Sequence, residues 1–313
     1  MHIVILESLG VSGEKLEEAM APYISAGHTF AQYERTLDVE KLRGELMDAD
    51  AAILANMPLP ADALKGADKL RFIDVAFTGC DHIPLDKCRE RGITVSNASG
   101  YATHAVAELA VSLALGLKRE LLRGKEGTSK LGAASFMGTE LYGKQVGIVG
   151  LGKIGLHAAR LFSAFGCKVV GTAGTQTDGE REGVPCLPLN ILLDESDIVV
   201  LACPLNQNTR GLIGREALSR MRRTALLVNV ARGPVVDSEA LATALKEEKI
   251  AGAGLDVFDT EPPLPGTSPL LDAPHVLFTP HIGYRTQEAM ESRLEIVFGN
   301  LGAYLAGKPV NLV

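Results

Sequence analysis

The chain has 313 residues, enough for two domains, since single hydrophobic cores stop growing near ~250–300 residues. Hydrophobic residues make up 46% and charged residues 22%, the balance of a globular protein, and the net charge of −7 argues against nucleic acid as the main partner, whose phosphates need a basic face. No stretch supplies the ~18 uncharged apolar residues of a membrane helix, the strand-like "MHIVILE" carries no basic region or cleavage site and so does not read as a signal peptide, and the cysteines (Cys80, Cys88, Cys167, Cys186, Cys203) form no CxxC pair, which fits reduced thiols in a cytoplasmic compartment.

Short β-like runs at His2–Leu6, Ala51–Ala55, Leu70–Ala76 and Ile93–Asn97 alternate with helix-patterned segments such as "GEKLEEAMAPY" and "VEKLRGELMDA". That alternation predicts a parallel sheet covered on both faces. From about Tyr101, the run "ATHAVAELAVSLALGLKR" predicts one long amphipathic helix, and "GKEGTSKLGAASFMGTE" after it has no strong periodicity. A second alternating set follows, with strands in "QVGIVG", "KVVGT", "DIVVLAC", "ALLVNV", "GAGLDV" and "VLFTP" and helices at Ile154–Phe165 and "SEALATALKEEK". A last helix, from about Thr286 to Leu305, lies beyond the second sheet and is expected to return to the first. The fold class is therefore α/β, with two doubly wound parallel-sheet domains: a discontinuous one of residues 1–99 and 285–313, and a dinucleotide-binding one of residues 100–284.

"VGIVGLGKIG" puts Gly150, Gly152 and Gly155 in G-x-G-x-x-G spacing between a predicted strand and a predicted helix. The first glycine permits the tight turn, the second lets a pyrophosphate approach the backbone, and the third lets helix and strand pack closely. The helix N-terminus then offers N–H groups and partial positive charge to the phosphates. The next strand ends in Thr172, Ala173 and Gly174, without the acid that commonly holds the adenosine ribose. Nor does an adjacent arginine stand ready for a 2′-phosphate; Arg181 lies farther along the loop. Thr172 and Thr175 can hydrogen-bond either cofactor. NAD(H) is favoured, with NADP(H) left open.

Arg232 ends the run "LLVNVAR", Glu261 follows "GLDVFDT", and His281 follows "VLFTP". Ligands of open parallel sheets bind outside the carboxyl ends of the strands, so these three belong on the cofactor side. A planar, permanently charged guanidinium suits bidentate binding of a carboxylate. A histidine beside a carboxylate can hand over a proton near neutral pH, because the carboxylate favours the imidazolium. The set points to reduction of a carbonyl beside a carboxylate, with Arg232, Glu261 and His281 as the catalytic residues.

In this order, "GIVGLGKIG", "NVARGPVVD", "GAGLDVFDTEP" and "TPHIG" resemble the D-isomer-specific 2-hydroxyacid dehydrogenases over nearly the whole chain. The resemblance implies a flavodoxin-like substrate domain, a Rossmann domain and a homodimer built mainly on the latter. It places the family's catalytic Arg, Glu and His on Arg232, Glu261 and His281, its nicotinamide-side aspartate on Asp256, and a cofactor-contacting hydroxyl on Thr103. Lys153 and Ile154 within the glycine loop, with Pro204, Val230, Ala231 and Gly283 beyond later strands, complete the expected cofactor contacts. The substrate loop falls on "VAFTGCDHI", so Thr78 and Gly79 are expected to bind the carboxylate through backbone N–H groups, and Phe77 to form an apolar pocket wall. "SNASGYATHAVAE" looks like the glycerate dehydrogenase (hydroxypyruvate reductase) branch.

Departures refine the expected substrate. Val75 stands where phosphoglycerate dehydrogenases tend to carry arginine, which disfavours a phosphorylated substrate. Thr78 in place of a lysine disfavours phosphite, and a glutamate rather than a glutamine beside the histidine disfavours formate. The expected partner is a small 2-oxo or 2-hydroxy acid, hydroxypyruvate- or glyoxylate-like. Two alternatives stand beside it: larger apolar 2-oxo acids, and a dinucleotide-sensing scaffold. No metal is expected, His104 reads as a helix-face residue, and His82 and Cys80 have no metal-like spacing; Tyr284 and Arg285 are even candidates for the cleft.

Overall fold

The computed structural model describes residues 1–174 and 178–313. They form two compact units, Met1–Ala102 with Arg285–Val313, and Thr103–Tyr284.

The first unit holds a five-stranded parallel sheet of order β2-β1-β3-β4-β5, with β1 His2–Ile5, β2 Thr29–Gln32, β3 Ala51–Leu54, β4 Phe72–Val75 and β5 Thr94–Asn97. Strands covered on both faces read as continuous apolar runs rather than alternating ones, and β3 and β4 are buried throughout. The helix Gly13–Ser25 starts at Ser12, whose Oγ accepts from the Lys15 N–H, and the helix Val39–Leu46 starts at Asp38, whose carboxylate accepts from the N–H groups of Glu40 and Lys41. Such caps satisfy N–H groups that the first helical turn leaves unpaired.

The returning helix is Gln287–Leu305, capped by the Thr286 hydroxyl, which accepts from the Ala289 N–H. It packs against the helix Gly13–Ser25 and against β4 and β5. Tyr304 stacks on Phe72 with ring centroids 4.3 Å apart, and the Tyr23 hydroxyl donates to the Phe298 carbonyl. Burying an aromatic ring this way contributes roughly 1.5–3 kcal/mol, so the C-terminal helix is part of this core.

The second unit holds six parallel strands in the order β13-β12-β11-β10-β6-β7. Their ranges are β6 Gln145–Val149, β7 Lys168–Thr172, β10 Ile198–Leu201, β11 Leu226–Asn229, β12 Gly252–Leu255 and β13 Val276–Phe278; the pair β8 Glu180–Arg181 and β9 Val184–Pro185 forms a small hairpin outside the sheet. The helix Thr103–Lys118 packs against β11, β12 and β13. The aperiodic segment after it makes only short helical turns between Leu121 and Ser135. Because β6 pairs with β7 on one side and β10 on the other, the order reverses at β6, and a crevice opens outside the carboxyl ends at such a point. Among the described residues no helix is long and apolar enough to cross a membrane.

Candidate active site

The loop after β6 meets the three steric conditions of a dinucleotide cradle. Gly150 has φ +104°, and a Cβ there would lie 2.6 Å from the Cys203 nitrogen on the exit of β10. Its N–H donates to the Thr172 carbonyl at 2.9 Å, pinning the turn to the end of β7. A Cβ on Gly155 would sit 2.0 Å from the Gly150 carbonyl oxygen, so only glycine lets the helix Lys153–Ala164 come this close. Gly152 is different: nothing lies within 4 Å of its Cβ position, and its backbone is open to an approaching group. Lys153 and Ile154 begin the helix, whose N-terminal N–H groups and dipole favour phosphate. These residues fit a dinucleotide.

Pro204 follows Cys203 on the exit of β10, and its carbonyl accepts the Thr209 hydroxyl at 2.6 Å. Thr172 closes β7, followed by Ala173 and by Gly174 at φ +56°. Arg181 is exposed on β8. Thr175 lies outside the described residues. Thr103 begins the helix Thr103–Lys118 and is half-buried.

Arg232, Asp256 and His281 lie just beyond β11, β12 and β13, three strands that are neighbours in the sheet. The turn carrying Arg232 is clamped by Asn229, 1% exposed at the end of β11. Its Oδ1 accepts from the Ala231 N–H and its Nδ2 donates to the Arg232 carbonyl, both at 3.0 Å. The Val230 N–H donates to the Leu201 carbonyl at 3.3 Å. Gly233 then passes so close to the β12 exit that a Cβ would fall 1.9 Å from the Phe258 carbonyl carbon. Arg232 itself is half-buried, with Nη1 donating to the Ala231 carbonyl at 2.8 Å.

His281 adopts φ +55°, a left-handed conformation uncommon outside glycine. Its N–H donates to the carbonyls of Asp256 (2.8 Å) and Thr279 (3.0 Å), which hold that bend. The ring Nδ1 lies 2.9 Å from both carboxylate oxygens of Glu261, with the histidine side chain 12% and the glutamate 56% exposed. Tyr284 packs edge-on against the imidazole, centroids 5.5 Å apart.

Asp256 is 2% exposed and accepts three hydrogen bonds: from the Thr279 hydroxyl (2.7 Å), the Ile282 N–H (2.9 Å) and the Gly283 N–H (2.8 Å). Burial pushes its carboxyl above the ordinary aspartate range, opposed by these donors. The aspartate thus ties together both sides of the turn that carries His281.

Phe77, Thr78 and Gly79 follow β4 in the first unit. Phe77 is 5% exposed, its ring 6.0 Å from that of Tyr101, while Thr78 and Gly79 are half-buried. His104 is hydrogen-bonded to His157, its Nδ1 3.0 Å from Nε2, on the exposed side of its helix. Sequence reasoning passed over Asn229, Thr279 and Asn97 as site residues. Asn229 alone left a trace, as the single polar residue in an apolar run.

Residues 111–283 match the D-isomer specific 2-hydroxyacid dehydrogenase NAD binding domain. The chain belongs to the D-isomer-specific 2-hydroxyacid dehydrogenase family. It is 40% identical over 276 residues to a glyoxylate reductase of Korarchaeum cryptofilum, covering 85% of this chain and 83% of that protein. Over 298 residues it is 36% identical to a glycerate dehydrogenase of Methylorubrum extorquens, covering 91% and 92%. The structure of a D-lactate dehydrogenase from Aquifex aeolicus complexed with NAD and lactic acid superposes with a TM-score of 0.85 at 28% identity, covering 98% and 96% of the two chains. The dehydrogenase is thus a nicotinamide-dependent oxidoreductase of small 2-hydroxy acids, with the two-unit parallel α/β fold expected from its sequence.

Proposed function

We propose that this dehydrogenase interconverts glyoxylate- or hydroxypyruvate-sized 2-oxo acids and their (R)-2-hydroxy acids, with Arg232, Glu261 and His281 as its working groups. The pairing of His281 Nδ1 with both oxygens of Glu261 carries this reading. An imidazole held by a carboxylate on one nitrogen has its tautomer set and presents the other for proton transfer. Nδ1–H donates to Glu261, and the proton on Nε2 passes to the carbonyl oxygen of the substrate; in the oxidative direction Nε2 takes it back from the hydroxyl. The bound nicotinamide supplies or accepts the hydride at the carbonyl carbon.

Arg232 grips a substrate carboxylate with its planar fork and polarises the carbonyl beside it. In the first unit, the N–H groups of Thr78 and Gly79 are the carboxylate donors. Asp256 keeps the His281 turn in place. On the cofactor side, Gly150, Gly152, Lys153, Ile154 and Gly155 hold the pyrophosphate, with Thr103, Thr172, Thr175, Pro204, Val230, Ala231 and Gly283 around the rest. NADH is favoured over NADPH because the sequence directly after β7, "AGTQTDG", carries no arginine to offset a 2′-phosphate. The enzyme works in the cytoplasm as a homodimer. Support for the dimer is the exposure of four large apolar side chains of the nucleotide unit, Leu121, Leu131, Met137 and Tyr142, which a second copy would cover; a monomeric mass by light scattering removes that part.

A second reading, reduction of larger apolar 2-oxo acids, is favoured by the packed Phe77–Tyr101 pair. One experiment separates the readings: oxidation of NADH and of NADPH followed across 2-oxo acids from glyoxylate and hydroxypyruvate to branched-chain homologues. The small acids with NADH should give the highest kcat/KM. Preference for the branched acids selects the second reading, and no turnover with any acid leaves a dinucleotide-sensing scaffold.

A further inference from the structure

The loop that carries Thr78 and Gly79 is tied down from the exit of β5, inside its own unit. The Ala98 N–H reaches the Phe77 carbonyl at 3.0 Å, and Asn97 Nδ2 donates to the Thr78 carbonyl at 2.8 Å. In a planar trans peptide the C=O and the following N–H point in opposite directions. Holding the Phe77 carbonyl therefore aims the Thr78 N–H, and holding the Thr78 carbonyl aims the Gly79 N–H, both away from β5. Neither N–H donates to an acceptor among the described residues.

Asn97 is itself locked from three directions. Its Oδ1 accepts the Ser99 N–H (3.2 Å), its N–H donates to the Asn311 carbonyl (3.0 Å), and its carbonyl accepts Asn300 Nδ2 (3.0 Å). Asn300, 1% exposed, also donates to Asp74 Oδ1 at 3.0 Å and accepts Asn311 Nδ2 on its Oδ1 at 2.7 Å. The C-terminal residues lie along β5, with the Ser96 hydroxyl donating to the Val310 carbonyl and the Val313 N–H to the Val95 carbonyl. A turn after a strand needs only the Oδ1–Ser99 bond to be capped. The second half of the amide, aimed at the loop after the preceding strand β4, is surplus to that capping role.

We propose that Asn97 is a positioning residue for substrate binding: its amide holds the Thr78 peptide so that the N–H groups of Thr78 and Gly79 point at the substrate carboxylate, and Asn300 and Asn311 keep Asn97 in that pose. This rests on the reading above that the two N–H groups bind the carboxylate. Asn97→Asp keeps the Ser99 cap and replaces the donor with an acceptor facing a carbonyl. Asn311→Gly removes only the outer lock, at a residue whose φ of +52° glycine adopts freely.

The full-length variants are assayed with glyoxylate and, in the NADH-loaded state, titrated calorimetrically with oxalate as a carboxylate probe. Asn97→Asp should raise the KM for glyoxylate and the oxalate Kd together by about tenfold or more, the scale of losing aim on a charged acceptor, with kcat within about threefold, the KM for NADH unchanged and Tm little moved. Asn311→Gly should weaken oxalate by a smaller factor. Unchanged oxalate affinity in folded Asn97→Asp, or a loss confined to kcat or to NADH, overturns the proposal. If Asn97→Asp does not fold, unchanged oxalate affinity in Asn311→Gly does the same. Oxalate binding that weakens in Asn97→Asp, in a protein that turns over no 2-oxo acid, upholds the positioning role while the functional reading fails. A wild-type protein that turns over glyoxylate but does not bind oxalate overturns the positioning proposal and leaves the functional reading standing.

Discussion

Asp74 offers a test of how the first unit tolerates a buried acid. It lies on β4 with no solvent exposure and accepts one hydrogen bond, from Asn300 Nδ2. Burial pushes its carboxyl from 3.8 up to about 8, and the Asn300 bond offsets only part of that. Because the folded value lies above the unfolded one, no penalty exists below pH 3.8, where both states are protonated. Above it the unfolded chain releases the proton while the folded chain keeps it, so stability falls with rising pH until the folded group also ionises near 8. Each pH unit in that window costs about 1.4 kcal/mol, and the rise from pH 5 to pH 8 removes on the order of 4 kcal/mol. Asp74→Asn retains an oxygen to accept from Asn300 and never ionises. Urea unfolding of wild type and variant, followed by circular dichroism at pH 5, 6.5 and 8, isolates this group because every other titration is shared. The variant's relative stability should grow by on the order of 4 kcal/mol across that range; a difference that stays constant with pH refutes the neutral buried acid.

Two further substitutions probe the second unit. Gly152→Ala adds a methyl where nothing lies within 4 Å, so Tm should hold, while the KM for NADH rises about tenfold or more as the methyl takes the space of the pyrophosphate. An unchanged KM for NADH places the phosphates elsewhere. Arg232→Ala should lower kcat/KM by roughly 10²–10³ with Tm nearly unchanged, and Arg232→Lys should recover only part, since an ammonium cannot reproduce the planar fork. Full turnover in Arg232→Ala removes the carboxylate anchor.

What was legible in the chain follows from how each signal is written. The buried strands announced themselves because both faces are covered, which leaves runs such as "AAIL" and "IVVL" without polar breaks. β2, "TFAQ", is an edge strand exposed at both ends and went unseen. The helices Leu85–Glu90, Leu189–Glu195 and Arg215–Arg220 span too few turns to show a period. "VLFTP" was expected as strand to its proline, but β13 ends at Phe278, ahead of a residue that cannot donate to a ladder. The glycine loop was readable because close backbone approach demands Gly150 and Gly155 at that spacing, with Gly152 between them where a pyrophosphate would approach. The roles of Asn97, Asn229 and Asn300 were not, because each depends on a backbone or carboxylate partner that spacing does not reveal; Asn300 meets Asp74 across 226 positions of sequence.

The same device recurs where the proposed working groups stand. Asn229 is the last residue of β11, Asn97 the last of β5, and Asp256 the first after β12. A parallel strand leaves the peptide groups beyond its end without ladder partners, and buried peptide groups need partners. A short polar side chain at that point supplies them, and in doing so fixes the direction of the turn that follows. Asn229 does this for the Arg232 turn, Asp256 for the turn at Ile282 and Gly283 beside His281, and Asn97 for the Thr78 peptide. Satisfying a strand end and aiming a functional group are here one act. Substitutions at these three residues should therefore separate from those in the apolar core: an isosteric change that keeps the backbone partner satisfied but misdirects the turn will cost substrate affinity or turnover well before it costs stability, whereas truncating a core leucine such as Leu227 will cost about 2–5 kcal/mol of stability first.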